Sequence, residues 1–221
     1  SLLPIGYKLF VSILLSRLKK GGAEQRIWPT QFGFSFGCST RDALFLARRL
    51  IEETWAQRDA TLVLLALDWA KAFDTISPEY LLQALRRFGL PEKMLQMIKA
   101  IYTNRTFSVK DAGAISAAST QHFGISQRCP LSPFLFVMVM TVLMKDAKRE
   151  LQEQSNSQQF SNSVQDLLYA DDTLLVGTEP SFVQEYMECV GRAGAQYGLA
   201  FNWSKLEVLP VKCSADIPIP G

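Results

Sequence analysis

The amino-acid sequence predicts an α+β fold in which packed helices cover an antiparallel sheet. Its segments follow the order helices, strand, helices, hairpin, helix, hairpin, helix and strand, and hairpins require antiparallel pairing. The chain has 221 residues, of which 48% are hydrophobic, and this supply of apolar side chains is ample for the core of one or two domains.

The predicted helices combine apolar positions at helical spacing with residues that favour helix ends. Ser39 is a candidate N-cap for the second helix, and Ser77 with Pro78 gives an N-cap followed by a first-turn proline. Gly89 ends that third helix. The six predicted helices span about residues 5–19, 39–55, 77–88, 91–102, 133–152 and 181–197.

Short apolar runs bounded by turn residues predict the strands. Residues 61–67 form a continuous apolar run typical of a strand buried on both faces. Two hairpins are expected, one from 107–113 and 115–123 and one from 167–169 and 173–176, and a last strand at 206–211. The polar stretch at 152–163 is predicted to be a loop.

Composition excludes several classes of protein. The net charge of +2 neither requires nor excludes nucleic acid, because a local basic groove can form on a nearly neutral protein. His122 is the only histidine and no two cysteines form a CxxC pair, which excludes a zinc finger. No apolar run reaches the roughly 18–20 residues of a membrane span. An intracellular protein is expected, in the nucleus or in a cytoplasmic ribonucleoprotein, and the chain is expected to be an excerpt of a longer one.

Two carboxylate sites interrupt apolar runs, at Asp68 and at Asp171–Asp172. A charged carboxylate beside a core is costly unless a partner such as a divalent cation compensates it. Oxygen ligands without His or Cys favour Mg²⁺ or Mn²⁺, and two such ions can stabilise both the attacking and the leaving oxygen of a phosphoryl transfer. The alternative is that Asp68 ends a strand and the Asp pair forms a turn.

Six segments resemble, in order and spacing, the sequence blocks of reverse transcriptases of the non-LTR retrotransposon (LINE-like) type, which are related to group II intron reverse transcriptases. The palm blocks correspond to LDWAKAFDTI, GISQRCPLSPFLF, LLYADDTLLVG and YGLAFNWSKLE. Two fingers blocks correspond to SLLPIGYKLFVSILLSRL and QFGFSFGCSTRDAL. The resemblance covers nearly the whole chain and implies a right-hand polymerase palm with part of the fingers.

The resemblance also implies roles for the carboxylates and a division of the chain. Asp68, Asp171 and Asp172 would be catalytic and would hold two Mg²⁺ or Mn²⁺ ions. Residues 1–60 would belong to the fingers and 61–221 to the palm, without the thumb or the rest of the fingers. The partners would be an RNA template, a DNA primer and a dNTP, and no membrane is expected.

Four further residues match nucleotide-binding positions of the family. Phe73 would exclude the 2′-hydroxyl of an rNTP, or it is a core aromatic. Gln127 would line the nucleotide. Arg41 would reach the triphosphate, because guanidinium binds phosphate in a bidentate manner, or it is a solvated helix arginine. Lys205 would protonate the leaving pyrophosphate, or it is a surface lysine.

Two residues depart from the family pattern. Arg128 stands where a glycine usually follows Gln127, and a positive φ there would strain any other residue. Cys38 stands where related sequences carry arginine. These departures leave open a degenerate or maturase-like relative that binds RNA without polymerising. A third reading is an RNA-dependent RNA polymerase, although Phe73 and the YADD sequence speak against it.

Overall fold

The computed structural model describes residues 3–111, 113–121, 123–126, 128–154, 164–215 and 217–218. Its main sheet has four antiparallel strands, and the strand order confirms the predicted α+β class with an antiparallel sheet. In spatial order the strands are β6 (Val164–Tyr169), β7 (Asp172–Gly177), β1 (Leu62–Leu67) and β8 (Glu207–Val211).

Strand β1 lies in the middle of the sheet and is buried on both faces, as its unbroken apolar run predicted. Val63 and Leu65 point into the main core, while Leu62 and Leu64 belong to a second, smaller cluster. Leu50 and Ile51 of the second helix pack against that smaller cluster. The sheet is therefore covered on both sides, and β1 is firmly held up to its last residue.

The helices begin and end close to the predicted residues. The Asp42 carboxylate accepts hydrogen bonds from the backbone N–H and the hydroxyl of Ser39, and Ser77 accepts from the Tyr80 backbone N–H. Gly89 ends its helix with a φ of 91°. The helices are α1 (Ile5–Lys20), α2 (Thr40–Ala56), α3 (Ala72–Thr75), α4 (Pro78–Phe88), α5 (Glu92–Tyr102), α6 (Ser132–Gln154) and α7 (Pro180–Ala195).

Helix α6 forms the centre of the helical layer and packs against α4 and α7. Asp146 is buried on α6 and accepts two hydrogen bonds from the Arg87 guanidinium of α4, both at 2.5 Å. The Tyr197 hydroxyl donates to the same carboxylate at 3.0 Å. This satisfied ion pair joins α4, α6 and the chain that follows α7, so it has a structural role.

Two expectations need correction. The hairpin predicted at 107–123 consists of two separate pairs of two-residue strands, β2 (Thr106–Phe107) with β5 (Ser119–Thr120) and β3 (Lys110–Asp111) with β4 (Ala114–Ile115). All of these strand residues are exposed, so no core face extends the pairing. Residues 152–154, predicted as loop, are the last turn of α6, and 155–163 lie outside the described residues.

Helix α3 and the isolated β-bridge between Gln31 and Leu168 were not predicted, and both adjoin the site described below. Short 3₁₀ turns occur at Glu24–Arg26 and Trp203–Lys205. In the part of the chain that the structure describes, no helix has the length and apolar character needed to cross a membrane.

Candidate active site

Asp68 follows the last residue of β1, at the end of the sheet where β6 turns into β7. Leu67 pairs with Thr173 in antiparallel register. Asp68, which follows Leu67, and Asp172, which precedes Thr173, therefore lie at the same end of the sheet. The Asp68 carbonyl accepts the Asn202 backbone N–H at 2.8 Å. This bond holds the chain beyond β1 against the segment that leads into β8.

The turn between β6 and β7 carries Asp171 and contains a left-handed residue. Ala170 has a φ of 59°, a conformation that costs about 1 kcal/mol or more for a residue with a Cβ. Gln31 holds this residue from the side. Its side-chain oxygen accepts the Ala170 N–H at 2.8 Å, and its side-chain nitrogen donates to the Ala170 carbonyl at 3.1 Å.

The segment around Gln31 lies beside β6 like an additional short strand. The Leu168 N–H donates to the Thr30 carbonyl at 2.9 Å, and the Phe32 N–H donates to the Leu168 carbonyl at 2.8 Å. Asp166, buried on β6, accepts hydrogen bonds from Trp28 at 2.5 Å, from the Thr30 hydroxyl and from Tyr186 at 2.8 Å.

Sequence reasoning assigned the QFGF segment to the fingers and missed its contact with the Asp turn. The contact joins residues 139 positions apart, so no local pattern encodes it. The available signal was a polar residue, Gln31, followed by Phe32 and Gly33, because a buried glutamine needs specific partners.

The charges of Asp68 and Asp171 act on Asp172, the third predicted catalytic carboxylate. Desolvation by the surrounding protein raises the pKa of Asp172, and the negative charges of Asp171 and Asp68 raise it further, although its side chain is exposed. Lys205 places its Nζ 3.4 Å from the Asp68 carboxylate. Lys205 therefore lies in a position to neutralise one of the carboxylates, and its role as a proton donor stays a prediction.

A cavity of about 670 Å³ opens in front of these residues. Its lining includes Asp68, Asp171, Phe73 and Lys205, together with Asn202. Four of the predicted site residues therefore meet in one cavity. In the described part of the chain, no three Asp, Glu, His or Cys side chains are grouped so that they could hold a metal ion. The joint metal site of Asp68, Asp171 and Asp172 stays a prediction.

Phe73 has features of both roles considered for it. Phe73 lines the cavity with Asp68, and it is only partly buried. The same ring stacks on Phe136 of α6, with centroids 4.4 Å apart and planes 20° apart. The Phe73 carbonyl accepts the Ile125 N–H at 2.7 Å. Phe73 thus belongs to the cavity lining while its ring packs against the core at Phe136.

Of the two remaining predicted nucleotide-binding residues, the structure describes only Arg41. Arg41 is exposed in the first turn of α2 and is not among the residues that line the cavity. Gln127 lies outside the described residues. Both assignments stay predictions.

Arg128 adopts the backbone conformation for which a glycine would be suited. Its φ is 62°, and its side chain is exposed. The neighbouring loop is held by Arg105, whose guanidinium donates to the Gly124 carbonyl at 2.6 Å and to the Ser126 hydroxyl at 2.7 Å. The exposed arginine avoids the interior but retains the strain of a left-handed residue.

The family model described as reverse transcriptase (RNA-dependent DNA polymerase) matches residues 1–214. The chain belongs to the reverse transcriptase family. This membership agrees with the resemblance of the six segments, and it decides against the RNA-dependent RNA polymerase reading.

Relatives of this reverse transcriptase domain are encoded by retrotransposons. The chain is 29% identical over 206 residues to the transposon TX1 uncharacterized 149 kDa protein of Xenopus laevis, covering 93% of the chain and 15% of that protein. It is 26% identical over 227 residues to the Pol polyprotein of the type-1 retrotransposable element R2 of Nasonia vitripennis, covering 100% and 20%. The chain thus spans a fifth or less of the length of these relatives.

Solved telomerase structures share the fold. The telomerase of Candida tropicalis, in complex with a fragment of telomeric RNA, superposes with a TM-score of 0.64 at 12% identity and covers 95% of this chain and 34% of that one. The telomerase of Candida albicans in complex with such a fragment gives 0.62 at 14% identity, covering 93% and 34%. At such identities the likeness concerns the fold alone.

Proposed function

We propose that the protein to which this domain belongs synthesises DNA on an RNA template, by attack of a primer 3′-hydroxyl on the α-phosphate of a dNTP. The observation that carries the proposal is the position of Asp68, Asp171 and Asp172 at one edge of the sheet, next to a cavity, in a member of the reverse transcriptase family. The RNA template, the DNA primer and the dNTP are the proposed partners.

Asp68, Asp171 and Asp172 would hold two Mg²⁺ or Mn²⁺ ions. The donor set fits these ions, because it consists of carboxylate oxygens. The raised pKa of Asp172, caused by desolvation and then by Asp171 and Asp68, fits them as well, since a bound cation would offset the crowded negative charge. When bound, such ions stabilise charge on the attacking and leaving oxygens of phosphoryl transfer.

Other residues would position the nucleotide and handle protons. Lys205, 3.4 Å from Asp68, would donate a proton to the leaving pyrophosphate. The Phe73 ring, fixed by its stack on Phe136, would clash with a 2′-hydroxyl. Gln127 would line the nucleotide, and Arg41 would contact the triphosphate if the fingers bring it near. Residues 1–60 would form part of the fingers and 61–221 the palm.

A second candidate function is RNA binding without polymerisation, and Arg128 is the observation that favours it. A non-glycine residue with a φ of 62° in the second palm block is strained where the family has glycine. Cys38, exposed before α2, would lack the phosphate contact of an arginine. Against this candidate stand the intact carboxylates.

Primer extension with the longer parent protein tests the proposal. On poly(rA)/oligo(dT) with dTTP and Mg²⁺ or Mn²⁺, the wild type should extend the primer. Asp68→Asn and Asp171→Asn should each slow extension on the order of 100- to 1000-fold, as expected for loss of a principal electrostatic group. Asp59→Asn is the matched control, because Asp59 is exposed and away from the cavity lining, and it should leave the rate unchanged.

Two outcomes would contradict the proposal. RNA binding by the wild type without any extension would favour the binding function. Extension that survives Asp68→Asn at the rate of Asp59→Asn would show that the reaction is carried elsewhere. Comparison of dTTP with UTP on the same template tests the proposed preference for dNTPs.

A further inference from the structure

Gln31 makes a two-point contact with the backbone of the turn that presents Asp171. Its carboxamide accepts the Ala170 N–H at 2.8 Å and donates to the Ala170 carbonyl at 3.1 Å. The side-chain oxygen also accepts the Gly33 N–H at 2.8 Å. Three hydrogen bonds thus involve one buried glutamine, which is 3% exposed. A buried amide makes so many bonds only where its partners are fixed in place.

The contact acts at the one residue of the turn that is conformationally strained. Ala170 has a φ of 59°, and an alanine leaves that region readily unless its surroundings hold it. Gln31 binds the N–H and the carbonyl of Ala170, and these two groups flank the φ and ψ angles of that residue. Because Asp171 is the next residue, any relaxation of Ala170 would move the Asp171 carboxylate.

Gln31 itself is firmly placed. Its backbone bridges to Leu168 in parallel register, and the Ser35 hydroxyl donates to its carbonyl at 2.8 Å. The chain passes close to the turn at Gly33, where a Cβ atom would overlap the backbone nitrogen of Ala170 and lie 3.0 Å from its Cα. The segment therefore approaches the turn as closely as two backbones can, and only a glycine fits there.

We infer that Gln31 is a positioning residue for the catalytic turn, in which it holds Ala170 left-handed so that Asp171 faces Asp68. The inference rests on the proposed function, because it assigns Gln31 a purpose in presenting Asp171. This role would connect the QFGF segment, which the sequence assigned to the fingers, with the position of Asp171 in the palm. Gln31 touches the backbone of the turn, so it acts on the Asp171 carboxylate through Ala170.

Two substitutions separate the contributions of the carboxamide. Gln31→Met keeps the length and removes all three hydrogen bonds. Gln31→Glu keeps an oxygen that can accept the Ala170 and Gly33 N–H groups but loses the donor to the Ala170 carbonyl. Gln165→Met is the matched control, since Gln165 lies on β6 in the same hairpin and is exposed.

The first measurement does not depend on activity. Hydrogen–deuterium exchange of the metal-free parent protein should show faster exchange of peptides within residues 164–177 in Gln31→Met, by roughly tenfold, as for loss of a buried hydrogen bond. Gln31→Glu should show a smaller increase. Peptides from α6 should exchange as in the wild type, and Gln165→Met should match the wild type throughout.

The second measurement is steady-state primer extension over a range of Mg²⁺ and dTTP concentrations. Gln31→Met should lower kcat about 10- to 100-fold and raise the Mg²⁺ concentration for half-maximal rate, because a small displacement of a catalytic group costs up to about 100-fold. The KM for dTTP should change much less. A merely structural role would lower the active fraction and leave the Mg²⁺ dependence unchanged.

The outcomes separate this inference from the proposed function. Faster hairpin exchange in Gln31→Met together with an inactive wild type would support the contact and contradict polymerase activity. A wild type that polymerises and is inactivated by Asp68→Asn, with Gln31→Met equal to Gln165→Met in exchange and in Mg²⁺ dependence, would overturn the role of Gln31 and leave the proposed function standing.

Discussion

Ala170 and Arg128 are both non-glycine residues with left-handed backbone angles, at 59° and 62°, yet their surroundings differ. Ala170 is buried, and Gln31 bonds to both its N–H and its carbonyl. Arg128 is exposed, and Arg105 holds the residues before it, Gly124 and Ser126, rather than Arg128 itself. Similar backbone strain is thus stabilised by hydrogen bonds at Ala170, whereas at Arg128 the hydrogen bonds of Arg105 hold only the neighbouring residues.

Gly33→Ala disturbs the surroundings of Ala170 and should have the largest effect on stability and polymerase rate. The added methyl group would overlap the Ala170 backbone, which cannot move aside as a flexible side chain can. We expect a loss of about 1–3 kcal/mol of unfolding free energy, as for overpacking, and about 100-fold in polymerase rate. Chemical denaturation and primer extension measure the two effects.

Gly6→Ala is the matched control for this substitution. Gly6 lies in α1 with nothing within 4 Å of an added Cβ, so its replacement should not lower stability or rate. If Gly33→Ala behaves like Gly6→Ala, the close approach to the Asp turn is not required.

Phe73→Val tests the role of Phe73, which lies between the Asp68 cavity and the loop that contains Arg128. The Phe73 carbonyl accepts the Ile125 N–H near the Arg128 loop, and Phe73 also lines the Asp68 cavity. Removal of the ring should raise rNTP incorporation relative to dNTP by about 10- to 100-fold, the usual scale for a steric change in a pocket. The ratio of kcat/KM for UTP to kcat/KM for dTTP measures this change in discrimination.

Phe45→Val is the control, because Phe45 is 61% exposed on α2. If Phe73→Val keeps the wild-type discrimination and only lowers stability, the ring serves the core through Phe136 and the sugar is checked elsewhere.

The same two regions show how far the sequence alone could lead. The apolar run before Asp68 and the two runs around Asp171 predicted strand ends with carboxylates, and the strand register places those ends together. The register and the Gln31 contact depend on residues far apart in the chain, so local spacing could not predict them. The hairpin at 107–123 was predicted too long, because alternation on a fully exposed surface does not fix strand length.

Arg128→Gly removes the backbone strain at Arg128. It should raise stability and polymerase rate, by less than Gly33→Ala lowers them. Glycine adopts a φ near 62° without strain, so we expect a gain of about 1 kcal/mol in stability. We also expect a severalfold rise in single-nucleotide insertion by the full-length protein, since 1.4 kcal/mol corresponds to about tenfold.

Two further variants separate backbone from side chain at this position. Arg128→Asn should gain part of the effect, because asparagine tolerates left-handed angles, and Arg128→Ala should gain little stability. Equal kcat/KM for the wild type and Arg128→Gly would show that the arginine is tolerated, and the RNA-binding alternative would lose its main support.

Asp172→Asn should have the smallest effect on stability among these substitutions. Desolvation, Asp171 and Asp68 raise the pKa of Asp172 in the folded protein above its ordinary 3.8. The folded state then binds more protons than the unfolded state between the two pKa values, so stability falls as pH rises through that window. Above it, metal-free Asp172→Asn should be more stable than the wild type, by less than about 1 kcal/mol for an exposed carboxylate.

Melting temperatures recorded from pH 3 to 8 with a chelator present would measure this difference, which should vanish below the unfolded pKa. A difference that is constant over the whole range would mean that the crowding of the carboxylates does not influence the folded state.

Mn²⁺ binding to the parent protein on a template–primer that lacks the 3′-hydroxyl, measured by electron paramagnetic resonance, tests the proposed metal site most directly. We expect the wild type and Asp59→Asn to bind Mn²⁺ alike, and we expect Asp68→Asn combined with Asp171→Asn to abolish that binding. Unchanged Mn²⁺ binding by the double variant would contradict the claim that these carboxylates form the catalytic centre.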